Sequence, residues 1–127
     1  MQEKSFTVLE MIVVVIIMGI LAGVVLNFTP LKENVLDKEA QANLKLIRAA
    51  ERIYRMEMDG YVGCANTLVV NNNLKLCIPT SRPNWNYKVE VVSATSFTGK
   101  SQRNVTGGRS WCINQITEDP YQTGCTW

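Results

Sequence analysis

The sequence predicts an α+β chain in which a long N-terminal helix, apolar in its first half and amphipathic in its second, packs on a small antiparallel β-sheet head. Three observations predict it. An apolar run fills the N-terminal part of the chain, helical spacing of apolar residues then lasts to about residue 58, and alternation with turn residues and all 4 cysteines follows. The mean hydropathy of zero averages these unlike parts. A length of 127 residues suits one small domain. With 0 His, histidine triads, imidazole bases and HExxH zinc sites are excluded. We therefore expect no catalytic residue, no metal and no cofactor.

Residues 11–26, MIVVVIIMGILAGVVL, carry no charge. A helix of that length covers ~24 Å, short of the ~30 Å hydrocarbon core of a bilayer. Extended over residues 6–28 the run reaches ~34 Å, which spans, and it then encloses Glu10. A secretory signal peptide would want a basic start and an Ala-x-Ala end, whereas MQEKS sets Glu3 against Lys4 and the run closes on Leu21-Ala22-Gly23. A plain membrane anchor explains the length but leaves Glu10 to cost ~2.5–3.5 kcal/mol at mid-helix, less near an end. Flanking charge does not orient the segment, since Lys4 stands on one side and Lys32 and Lys38 on the other.

A third reading rests on residues 5–23, SFTVLEMIVVVIIMGILAG. They resemble the N-terminal signature of type IV prepilins and of the related pseudopilins of type II secretion. Phe6, Thr7, Glu10, Gly19 and Ala22 stand where that pattern has them. The resemblance implies that a membrane prepilin peptidase cuts between Ser5 and Phe6, removing a leader at residues 1–5, and that the new amine of Phe6 is methylated. It also implies that Glu10 meets the amine of a neighbouring subunit and sets axial register. The physics agrees, because a carboxylate and an amine are each costly in a lipid-like core and neutralise one another. Pairing of Phe6 with Glu10 within one chain, at i and i+4, is also open geometrically. Two residues depart from the pattern: Ser5 stands where the family usually has Gly, and Asn27 where it often has a kinking Pro, with Pro30 following.

Four segments follow from this: the leader at 1–5, an apolar transmembrane or filament-core helix at 6–29, an amphipathic helix at 30–60 and a globular β-rich head at 61–127. In the amphipathic part Leu36, Ala40, Leu44, Ile47, Ala50, Tyr54 and Met58 step by three or four and define one face. The remaining surface, with Lys38, Lys45, Arg48, Arg52 and Arg55 against Glu39, Glu51 and Glu57, is expected to be solvated. Asp59-Gly60 supplies the stop, with Gly60 able to take the left-handed conformation a helix terminus often needs. A helix unbroken from residue 7 to 58 would be ~78 Å long. Gly23, Asn27 and Pro30 mark the expected hinge, because Pro lacks the amide hydrogen and crowds the preceding turn.

In the head, alternation predicts strands at 73–78, 84–92 and 109–116, a turn bounded by Pro79 and Pro83, and a polar loop at 99–108. Cys64, Cys77, Cys112 and Cys125 allow three pairings. We favour Cys64 with Cys77 and Cys112 with Cys125, each closing about 14 residues for ~3 kcal/mol in the chain-entropy model. A four-thiolate zinc site is the rival and lacks both CxxC spacing and His. Disulfides need an oxidising compartment, which places the head outside the cytoplasm. Tyr61, Trp85, Tyr87, Phe97, Trp111, Tyr121 and Trp127 are expected in core and subunit contacts. Glu118 and Asp119 offer too few oxygens for calcium.

The resemblance thus implies a structural subunit of a type IV pilus or pilus-like filament, which polymerises through its N-terminal helix. Its partners would be identical or related pilin subunits, the prepilin peptidase and an inner-membrane assembly machinery. It would sit in the inner membrane with its head in the periplasm before assembly, and in an extracellular filament afterwards. A pseudopilin of type II secretion, in a periplasmic pseudopilus, is the alternative. A DNA-binding uptake pilin is a second. The excess of 13 Lys+Arg over 11 Asp+Glu is small and scattered along the chain, so no nucleic acid is expected.

Overall fold

The computed structural model describes residues 6–25, 28–81 and 83–127, together with the side chains of those residues other than 28–30. It forms two compact units, Met1–Val35 and Leu36–Trp127, each taken by itself below.

The first unit holds helix α1, Val8–Val25, and the start of helix α2, Phe28–Met58. α1 is made almost entirely of Val, Ile, Leu and Met, and none of its residues is buried. Its backbone satisfies itself along the helix while every apolar side chain faces outward, the arrangement a lipid-like environment requires. Of the expected hinge, Gly23 lies inside α1 and Pro30 inside α2. Asn27 lies outside the described residues, as do Ser5 and the rest of the 1–5 leader.

In the second unit α2 lies on a three-stranded antiparallel sheet of order β1-β2-β3, formed by Trp85–Ser93, Ser96–Arg103 and Ser110–Asn114. Leu36, Ala40, Leu44 and Ile47 of α2 are buried, Ala50 and Tyr54 half-buried, and Met58 exposed. Ala40, Leu44 and Ile47 pack with Trp85, Tyr87 and Val89 of β1, Phe97 of β2 and Ile113 of β3, and Ala50 and Tyr54 pack against that cluster. Helix and sheet come closest at Gly99, where a Cβ would stand 3.2 Å from Ile113 Cγ2 and 3.7 Å from Ile47 Cγ2 and Leu44 Cδ2. Tyr61, in the segment after α2, adds its ring 4.6 Å from that of Phe97.

Several expectations are corrected. The helix stops at Met58, but Asp59 and not Gly60 takes the left-handed turn, at φ 57°, with its N–H donating to the Arg55 carbonyl at 2.9 Å. Residues 73–78 are not a strand. Helix α3, Thr67–Leu74, occupies their start, capped by Asn66, whose side chain accepts the Val69 N–H at 3.1 Å. Ile78 then pairs with a side chain instead of a strand: Asn71 Nδ2 donates to the Ile78 carbonyl at 2.7 Å and Asn71 Oδ1 accepts its N–H at 3.0 Å. The expected loop at 99–108 is strand for its first half. β2 turns Phe97, Gly99 and Ser101 inward, and two of those are too small to register as apolar alternation. A two-residue turn, Ala94-Thr95, joins it to β1, with Ser93 Oγ bonded to Ser96 Oγ at 2.9 Å.

Candidate functional site

The longest run of unsatisfied apolar surface in the first unit is α1, and its start is organised around Thr7 and Glu10. Thr7 caps the helix: its Oγ1 accepts the Glu10 N–H at 3.3 Å and its carbonyl accepts the Met11 N–H at 3.2 Å. The sequence Thr-x-x-Glu is that of a capping box, so the signature also codes a helix start. Glu10 falls in the first turn, where the helix dipole favours negative charge. Phe6 precedes the cap and is 71% exposed. The structure therefore presents Phe6, Thr7 and Glu10 at one end of a bare apolar helix of 18 residues. By length and composition, α1 is able to cross a membrane.

The head has a different character, because it buries polar groups. Glu51, expected on the solvated face of α2, is 0% exposed. Its Oε2 accepts the Val62 N–H at 3.1 Å, tying the segment after α2 back onto the helix, while Oε1 has no partner among the described residues. Burial pushes this carboxyl up to about 7, against a smaller lowering by the Val62 N–H. Asp37 is also buried and meets Arg109 Nη1 at 2.6 Å. Helical spacing puts Glu51 within the apolar face, four residues after Ile47 and seven after Leu44, and Asp37 at its edge, but says nothing of the loops that supply these contacts.

The cysteines divide. Cys112 and Cys125 form the expected disulfide, with Cα atoms 5.6 Å apart, and Cys112 is also held by backbone bonds of 2.8 and 2.9 Å with Tyr121. The expected Cys64–Cys77 bond is not formed. Cys64 is a buried thiol beside β1, its backbone paired with Val89 at 2.9 and 2.8 Å, and Cys77 is an exposed one. α3 stands between them in sequence, and the two sulfurs occupy unlike environments. Burial first, and the nearby Glu51 second, push the Cys64 thiol up to about 11, so it is unreactive as a nucleophile at neutral pH.

The basic side chains of the head are largely engaged. Lys88 and Lys100 both close on Glu90, which they hold below the usual carboxylate range, and Lys45 meets Asp119 at 2.6 Å.

Over 68 residues the chain is 34% identical to the type IV major pilin protein PilA of Myxococcus xanthus (strain DK1622). The match covers 53% of this chain and 31% of that protein, so the similarity is distant and the chain spans about a third of the length of the curated relative it matches. No protein-family model matches the chain. No solved structure matches it either.

Proposed function

We propose that the chain is a pilin-family protein without enzymatic activity, the structural subunit of a type IV pilus or pilus-like filament. The observation that carries this reading is α1: 18 residues with none buried, apolar throughout apart from one carboxylate in the first turn. Such a helix is stable only in lipid or against other apolar helices. The distant similarity to a type IV major pilin supports the second environment. In this account the prepilin peptidase cuts between Ser5 and Phe6, the Phe6 amine is methylated, and the inner membrane holds the subunit until the assembly machinery extracts it. Glu10 then neutralises the Phe6 amine of a neighbouring subunit in the filament core. The head faces the periplasm and then the outside, an oxidising setting that suits its disulfide.

The rival readings gain little. Asp119, half of the Glu118-Asp119 pair that already offers too few oxygens for calcium, is bonded to Lys45. The pairing of Lys88, Lys100 and Arg109 with carboxylates leaves no basic stripe for DNA uptake among them.

Replacing Glu10 with Leu tests the proposal. The variant is expected to reach the membrane in wild-type amount and to form no filament. Wild-type filament yield from Glu10→Leu overturns the role assigned to the carboxylate.

A further inference from the structure

α2 carries a second apolar stripe, on the side away from its own core. Ala42, Leu46, Ala49, Ile53 and Met56 are all exposed, with Leu46 at 46%, Ile53 at 54% and Met56 at 79%. Their steps of four, three, four and three are those of the a and d positions of a heptad, with Leu46 and Ile53 at a and Ala42, Ala49 and Met56 at d. Leu44 and Glu51 then fall at f, opposite the seam, and these are the residues buried under the head. The head's own sheet is therefore on the wrong side of α2 to cover the stripe. Small Ala42 and Ala49 at d alternate with large Leu46 and Ile53 at a, the relief that knobs and holes require.

The flanking charges select the occupant. Arg52 falls at g and Glu57 at e, both exposed, and among the described residues neither enters an ion pair. Within one helix residues five apart do not face one another. Across two parallel helices in register, g of one chain meets the e that lies five residues further along its partner, so Arg52 would meet Glu57 of a second copy on both sides of the seam. An antiparallel pair would instead set Arg52 or Lys45 of one chain against the same basic positions of the other.

We infer that the outer face of α2 over residues 42–56 is a homotypic seam, packing in parallel and in register against the same face of a second copy of this chain. The seam lies in the second unit, apart from α1, and goes beyond the filament reading without depending on it. It gives the subunit a paired state while it is still in the membrane.

Single cysteines in the full-length protein in its native membrane test this, in a Cys77→Ser background that removes the exposed thiol. On mild copper-catalysed oxidation, Ala42→Cys and Met56→Cys should each cross-link to a dimer of their own kind, and Val92→Cys, on the exposed edge of β1, should not. Adding Arg52→Glu should lower the cross-linked fraction about two- to thirty-fold, the range expected for the two symmetric exposed charge pairs turned repulsive. Adding Glu57→Arg to that variant should restore it. Cross-linking between Ala42→Cys and Met56→Cys chains when mixed, with neither joining itself, overturns the parallel register. Yields equal to that of Val92→Cys, products with a different protein, or failure of the double charge swap to restore the dimer overturn the homotypic seam. A cross-link at Met56 in cells that make no filament keeps the seam and drops the filament reading, and filaments without the cross-link do the reverse.

Discussion

Glu10 and Glu51 are carboxylates set among apolar residues in two regions of opposite construction. Around Glu10, in α1, no side chain is buried and the apolar surface waits for something outside the chain. Around Glu51, at 0% exposure, the chain has closed on itself, and a loop N–H supplies the hydrogen bond that water would have given. Changes in α1 act on insertion and assembly, because that surface contributes nothing to a core. Changes in the head act on its own unfolding.

The largest separation of the two regions comes from paired truncations. Phe97→Ala, at a 1% exposed ring in the centre of the sheet, should cost the head about 3–5 kcal/mol. Ile16→Ala, in α1, should leave head unfolding unchanged. Chemical denaturation of detergent-solubilised chain, followed by tryptophan fluorescence, reads only the head, since Trp85, Trp111 and Trp127 all lie there. A comparable loss from Ile16→Ala would erase the distinction.

Opening the disulfide should cost somewhat less. Cys112→Ser removes a cross-link between residues 13 apart, worth about 3 kcal/mol in the chain-entropy model. Cys77→Ser, at an exposed thiol, should leave head stability unchanged by the same measurement, and an equal loss there would revive a Cys64–Cys77 bond.

The Glu51 carboxyl gives a pH dependence of definite sign. Its folded value of about 7 lies above the ordinary 4.5, so the folded head binds the proton more tightly than the unfolded chain does. That stabilisation is fully present below pH 4.5 and is lost as pH rises to about 7, by about 2–3 kcal/mol. Glu51→Gln keeps an acceptor for the Val62 N–H and should flatten this slope, leaving the variant more stable than wild type at pH 8. Parallel stability curves for the two proteins across that window would place Glu51 in water. The smallest expected effect is Asn66→Ala, which uncaps α3 and should cost about 1 kcal/mol.

What was legible in the sequence depended on side-chain size. Trp85, Tyr87 and Val89 alternate with polar residues and announce β1, whereas β2 faces inward through Phe97, Gly99 and Ser101 and leaves almost no apolar trace. Leu74, Leu76 and Ile78 imitate a strand because period two also fits a helix end followed by an extended segment held by Asn71. The apolar character of α1 and the start signal Thr7-x-x-Glu10 are written in consecutive residues. The burial of Glu51 depends on a loop N–H supplied by Val62, and nothing in helical spacing encodes that fold-back. The outer stripe of α2 was present in the spacing but overshadowed by the stronger inner face, since two of its five residues are alanine.

A processed filament subunit with an oxidised head has one expected intact mass, read from this chain in filaments sheared from cells. We expect the mass of residues 6–127 plus the net CH2 of one N-methylation, less the two hydrogens of the Cys112–Cys125 bond. A mass that retains MQEKS, or sheared filaments that do not contain this chain, would contradict it.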